Sequence, residues 1–131
     1  MKLQILTPEK TVFDGEAESI GVPGEAGAFE ILKGHAPILS TLIPGKMRVL
    51  SGKQELNFHV SHGFVEFSHD KGLVLADSVE KPGEIDSERV KAAKERAQKR
   101  LEQEETVDIL RAQKALVRAL SRERFSQQFP G

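Results

Sequence analysis

The sequence predicts an α+β fold: an N-terminal antiparallel β-sandwich followed by a C-terminal two-helix antiparallel hairpin. Three observations predict it. Up to about residue 80, short apolar runs alternate with Gly, Pro, Ser and Asp clusters, as expected of many brief strands. From Ile85 to Phe129 no Gly or Pro interrupts a chain rich in Ala, Lys, Glu, Arg and Gln, the residues a helix prefers. Charge reverses at the same point. Residues 1–84 carry 8 Lys/Arg against 12 Asp/Glu, net −4, whereas residues 85–131 carry 11 against 8, net +3.

The strands follow in order. In "KLQIL", Leu3 and Ile5 share one face, and Thr7-Pro8 ends the run. "ESIGV", "KMRVL", "ELNFHV", "FVEF" and "LVLA" come next. The stretch "FVEFSHDKGLVLAD" predicts a hairpin whose turn is Asp70-Lys71-Gly72, with Gly72 at the positive-φ position. "GVPGEAG", with glycines at 21, 24 and 27, reads as a turn between strands. "GHAPILSTLIPG" (34–45) reads as a stiff turn shaped by Pro37 and Pro44. Many short strands at close spacing favour a sandwich or barrel.

The domains therefore divide at 1–84 and 85–131. Pro82-Gly83 breaks the chain, and Asp86 or Ser87 can cap the first helix by accepting a backbone N–H. Val90, Ala93, Ala97 and Leu101 recur at three and four residues, as do Ile109, Ala112, Leu116 and Ala119 in the second run. Two thin, alanine-rich stripes joined by a polar bend at "EQEET" predict an antiparallel hairpin. Alanine buries little area, so the pair should be held only marginally. Arg111, Lys114, Arg118 and Arg122 share one helix face. That face reads as ordinary solvated surface or as a dock for an acidic partner.

Composition excludes several function classes. With no cysteine, disulfides, thiol catalysis and thiolate metal sites are ruled out. No apolar run approaches the roughly 20 residues of a membrane span, so no direct membrane insertion is expected. "MKLQILTPEK" shows no secretory pattern, which suggests a cytoplasmic protein. A net charge of −1 and the absence of Tyr and Trp argue against nucleic-acid binding. His35, His59, His62 and His69 are read as surface or turn residues. His59 and His62, three apart on a strand, fall on opposite faces and cannot share a metal. No G-x-S-x-G or phosphate-loop sequence occurs, and Glu104-Glu105 lie in the polar bend. No catalytic residue and no metal site is expected.

Three segments, "GHAPILSTLIPGKMRVL" at 34–50, "VSHGFVEFSHDKGLVLAD" at 60–77 and "IDSERVKAAKERAQKRL" at 85–101, together resemble the epsilon subunit of F-type ATP synthases. The resemblance runs nearly end to end. It implies a non-catalytic rotor-stalk subunit, with a sandwich that binds the gamma subunit and the c-subunit ring. It places the chain peripherally on the cytoplasmic face of a bacterial plasma membrane or the stromal face of a thylakoid. His35 is implied to sit on the rim facing the ring, in a structural or contact role. The family's acidic-Leu-Gly-Ile-Leu-Pro run is here Ala28-Phe29-Glu30-Ile31-Leu32-Lys33. Ala28 thus replaces an acidic ring contact, with Glu25 or Glu30 as substitutes.

The resemblance also implies a regulatory hairpin. Extended, its Arg111, Lys114, Arg118 and Arg122 would meet an acidic segment of the beta subunit and block ATP hydrolysis. Relatives bind ATP through an I/L-D-x-x-R-A motif, which here is Ile85-Asp86-Ser87-Glu88-Arg89-Val90. The implied ligand set is Glu80, Asp86, Arg89, Arg96, Arg118 and Arg122. No cofactor is required, and ATP is a regulatory ligand. Beside that reading, Asp86 is simply a helix cap and Arg89 is solvated. A separate class of function, a stand-alone nucleotide-responsive module engaging an acidic protein partner, is distinguished by pull-down with a gamma subunit.

Overall fold

A computed structural model describes residues 1–102 and 109–130. The bend read at "EQEET" falls mainly outside the described residues, as do Glu104 and Glu105. The chain divides into two compact units, Met1–Lys81 and Pro82–Gly131, each taken by itself below.

The first unit holds ten strands: β1 (Lys2–Leu6), β2 (Thr11–Glu16), β3 (Ser19–Gly24), β4 (Gly27–Leu32), β5 (Ile38–Leu42), β6 (Gly45–Ser51), β7 (Gln54–Val60), β8 (Gly63–Ser68), β9 (Lys71–Ala76) and β10 (Val79–Glu80). Their order is β10-β7-β6-β3-β5-β8-β9-β1-β2, with β4 on the other edge of β3. One edge of β3 is shared. Ser19, Ile20 and Gly21 pair with β6, whereas Gly24 pairs with Leu42 of β5. That single pair is the corner where the sheet folds over to make two layers. Leu3, Ile5, Ile20, Met47, Phe58 and Phe67 fill the space between them as one buried cluster.

The corner depends on glycine. A Cβ on Gly63, the partner of Leu42 and Ala76, would lie 2.1 Å from the Leu75 carbonyl oxygen and 2.7 Å from the Ala76 Cα. On Gly24 it would meet the Gly27 carbonyl oxygen at 2.8 Å.

The predicted sandwich is present, and several details of the sequence reading are corrected. The β8–β9 turn is centred on His69 and Asp70, at φ 52° and 57°. Ser68 pairs with Lys71 across it, which makes a two-residue hairpin of the type that needs two left-handed residues. Gly72, expected in the turn, lies inside β9 between Phe67 and Leu3, where a Cβ would come within 3.1 Å of Leu3 Cδ1. Gly72 thus occupies a closely packed strand position and not a positive-φ one. Residues 34–45 are not one turn, because Ile38–Leu42 is strand β5, paired along its length with β8. In "GVPGEAG" only Glu25 and Ala26 turn, between β3 and β4. Ladders are antiparallel except that β1 runs parallel to β9.

The second unit is α1 (Ser87–Glu102) and α2 (Ile109–Gln128). Asp86 is the N-cap of α1. Its Oδ1 accepts the Glu88 and Arg89 N–H groups at 3.0 and 3.2 Å, while its carbonyl accepts Val90 N–H at 3.0 Å. Val90 near the start of α1 clusters with Phe125 near the end of α2, along with Ile85 and Phe129. The helices are therefore antiparallel. Lys94 Nζ donates to both carboxylate oxygens of Glu123, at 3.3 and 3.4 Å. Ala97, Ala112 and Ala119 are buried, as the periodicity predicts. Ile109, placed in the same stripe by spacing, is 47% exposed. Spacing fixes a helix face but not how far along it the partner reaches.

Candidate functional site

The turn carrying His35 is locally determined. Its N–H donates to the Leu32 carbonyl at 3.0 Å. Its Nδ1 lies 2.6 Å from the Ala36 carbonyl, and a carbonyl only accepts, so Nδ1 carries the hydrogen. The ring meets Phe67 edge-on, at a centroid distance of 6.1 Å and an angle of 88°. One ring nitrogen thus serves the turn, and the ring itself packs against β8. Glu30 lies two residues before Leu32, near this turn, and is exposed. Glu25 is exposed in the tight turn at the other end of β4, beyond Gly27, which is itself about 10 Å along the strand from Glu30. The three rim candidates do not form one cluster.

Across β5, β8, β9 and β1, the residues Thr41, Phe64, Leu75 and Leu6 lie in register. Registered partners project to the same face, here the outer one. Leu39 and Phe64 on this face are 69% and 38% exposed, and Ile43 just beyond β5 is 42% exposed. Beside the band, Leu6, Pro8, His62, Phe64 and Leu75 line an open groove of about 400 Å³.

Of the nucleotide candidates, Glu80 belongs to the first unit. Strand β10 is fastened to β7 by the pairs Val79–Val60 and Glu80–His59. Just before it, Ser78 N–H donates to Ser61 Oγ at 3.0 Å. This sets the Glu80 carboxylate 3.8 Å from His59 Nδ1. His59 is fully buried, which corrects its reading as a surface or turn residue. The strand alternation stops at the end of β7, where Phe58, His59 and Val60 are buried in succession.

In the second unit, Arg96 and Arg100 of α1 face Arg118 and Arg122 of α2 across a groove of about 260 Å³. Its floor is alanine, including Ala97 and Ala119. Short methyl side chains let the helices approach and leave the guanidinium groups to form the walls. The groove is lined by Arg96, Arg118 and Arg122, three of the six residues that the resemblance implies as nucleotide ligands. It adds Arg100, which the sequence reading missed although it follows Arg96 by one helical turn. Asp86 and Arg89 do not line it. Asp86 is engaged in capping, about 15 Å along the helix from Arg96, and Arg89 is exposed. The basic stripe divides as well: Arg118 and Arg122 border the groove, whereas Arg111 and Lys114 are exposed. Among the described residues no group of three or more His, Asp or Glu is placed to hold a metal ion, and no helix is long and apolar enough to cross a membrane.

Residues 1–82 match the family model "ATP synthase, Delta/Epsilon chain, beta-sandwich domain", and residues 84–127 match "ATP synthase, Delta/Epsilon chain, long alpha-helix domain". The chain is 40% identical over 122 residues to an ATP synthase epsilon chain of Clostridium novyi, covering 92% of this chain and 93% of the relative. It is 46% identical over 122 residues to one from Desulfitobacterium hafniense, covering 92% and 91%. In fold it resembles a chain of the Euglena gracilis mitochondrial ATP synthase OSCP/F1/c-ring structure, with a TM-score of 0.77 at 19% identity, covering 98% of this chain and 81% of the other. A chain of the Tetrahymena thermophila central stalk/c-ring structure has a TM-score of 0.59 at 17% identity, covering 98% and 92%. Family models over both units and close relatives of nearly equal length lead to one conclusion: the chain belongs to the ATP synthase epsilon chain family, whose members are non-catalytic accessory subunits of that complex.

Proposed function

We propose that this subunit completes the rotor stalk, joining the gamma subunit to the c-subunit ring, and that its helical hairpin regulates ATP hydrolysis. The observation that carries the reading is the apolar band on the outer face of β5, β8, β9 and β1. Leu39, Ile43 and Phe64 remain exposed there, and burying a large apolar side chain stabilises an interface by about 1.5–3 kcal/mol. A gamma subunit covering the band would gain that energy at each anchor. Torque then passes through a rigid two-layer sheet without any chemical step on this chain. On the ring side, the turn held by His35 and the neighbouring Glu30 form one rim, and Glu25 supplies a separate acidic contact. The reading puts the chain peripherally at the membrane, on the cytoplasmic face of a bacterial plasma membrane, in keeping with the bacterial relatives.

Regulation follows from how the hairpin is held. The helices meet largely through alanine, with one apolar cluster at Ile85, Val90, Phe125 and Phe129. Two states separated by a few kcal/mol are what a switch requires. Opened, α2 would present Arg111, Lys114, Arg118 and Arg122 to an acidic segment of the beta subunit. Closed, the arginines at the helix–helix groove would hold ATP, which stabilises that state by RT ln(1 + [L]/Kd). Deleting residues 106–131 tests the regulatory arm: ATPase activity of the assembled head rises if the hairpin inhibits, and unchanged activity refutes it. Pull-down with the gamma subunit tests the stalk role. Its failure would favour a stand-alone nucleotide-responsive module with an acidic protein partner.

A further inference from the structure

We propose that Glu66 and Asp77 are acceptor sites at the two borders of the apolar band, and that the partner seated there carries two basic side chains about 13 Å apart around an apolar centre. This rests on the stalk reading and deepens it, because it states the chemistry that the gamma subunit must present to this face.

The register places both carboxylates. Glu66 follows Phe64 by two residues on β8 and pairs with Leu39 of β5 and Leu73 of β9, so it projects from the same outer face. Asp77 follows Leu75 by two residues. Its N–H donates to the His62 carbonyl at 2.9 Å, which continues the β8–β9 ladder one residue past the strand. Asp77 thereby borders the groove that Phe64 and Leu75 also line. Four residues separate Leu73 from Asp77, about 13 Å of strand, with the Phe64–Leu75 pair between. Both acids are exposed, and neither carboxylate has a hydrogen-bond or ionic partner among the described residues. By contrast, Glu55 on the other layer is paired with Arg48, and Glu18 accepts the Gly52 N–H at 2.8 Å.

Covering the band dictates what the partner must supply. Any surface that buries Leu39 and Phe64 also takes water from the carboxylates beside them. An ionised carboxylate that loses water and gains no donor costs more than one apolar anchor returns. A wholly apolar partner is therefore rejected. One that places Arg or Lys at both borders replaces the lost water with two charge-assisted hydrogen bonds. Beyond Glu66 on the same face, the next row holds Lys71 and Lys2, in register across β9 and β1. These lysines repel a basic side chain that slides one row too far, so the charges fix register as well as affinity.

Affinity of the full chain for purified gamma subunit, measured by surface plasmon resonance at about 0.05 M and about 0.5 M NaCl, tests this. Glu66→Gln and Asp77→Asn keep the side-chain shape and remove the charge. Each should weaken binding about tenfold at the lower salt and flatten the salt dependence, because the facing cation is left buried without its partner. Glu55→Gln removes the same charge from the other layer and should change affinity by less than about twofold. Gamma binding that either substitution at the band leaves unchanged or tightens overturns the proposal and leaves the stalk reading standing, since an apolar partner gains from a neutral border. An equal loss in Glu55→Gln assigns the effect to net charge and also overturns it. Failure of the unsubstituted chain to bind gamma at either salt refutes the stalk reading, and the proposal with it.

Discussion

Replacing Phe125 by alanine should loosen the hairpin while leaving the sandwich intact. Phe125 is 3% exposed and clusters with Ile85 and Val90, and its ring lies 5.0 Å from that of Phe129. A buried Phe→Ala change costs about 3–5 kcal/mol, from lost transfer energy and the cavity left behind. The aromatic pair supplies about 0.5–1.5 kcal/mol of that. The cluster is small, so the lower bound applies: about 3 kcal/mol, or about 100-fold in the equilibrium for helix separation. The Lys94–Glu123 pair, with side chains 28% and 32% exposed, contributes only about 0.5 kcal/mol against it. Native-state hydrogen exchange on the full chain reads the effect directly. Amides of Val90–Arg100 and Ala112–Phe125 should exchange about 100-fold faster, with β7 and β8 unchanged. Unaltered helix protection would show that the alanine contacts hold the pair by themselves. Equal acceleration in β7 and β8 would show that the whole chain opens rather than the hairpin, and would refute the reasoning.

Other substitutions probe the remaining links. Gly63→Ala should lower the sandwich's stability in urea by about 3 kcal/mol, since the added methyl meets neighbouring backbone at 2.1 Å; Gly21→Ala, whose nearest contact is 4.0 Å, should cost less than about 1 kcal/mol. Asp86→Ala should remove about 1 kcal/mol of helix stability by loss of the cap, seen as a lower helical melting temperature by circular dichroism. An unchanged melt would discount the two hydrogen bonds to its Oδ1. Phe64→Ser combined with Leu39→Ser should reduce affinity for the gamma subunit about 100-fold, with the far-ultraviolet spectrum preserved; an unaltered affinity would move the stalk contact to another face.

The parts of the fold legible in the sequence are those governed by neighbours along the chain. The cap at Asp86 follows from an acceptor placed before a Gly- and Pro-free run. The burial of Leu3 and Ile5 follows from alternation, and that of Ala97, Ala112 and Ala119 from helical period. The misreadings occur where two local signals compete. "DKG" draws attention to glycine as the turn residue, yet His69 and Asp70 adopt the left-handed conformation and Gly72 lies in strand β9, packed close to Leu3. Two prolines around "ILSTL" suggest a turn, yet five residues between them suffice for β5 once β8 supplies hydrogen-bond partners. In the candidate site, Arg118 and Arg122 stood out because they continue a basic stripe. Arg100 did not, because its place in the groove depends on the helix opposite.

By itself the sequence determined that a strand-rich acidic unit precedes a helical basic one, where the helix begins, and that thiol chemistry is absent. These are properties of composition and of interactions within a few residues. Only the tertiary structure decided that β1 lies parallel to β9, that β3 divides one edge between β6 and β5, and that His59 is buried beside Glu80. It alone decided that arginines separated by more than a dozen residues share one groove. Such pairings depend on which surfaces meet after the chain has closed its long loops, and the energy of that meeting belongs to no single segment of the sequence.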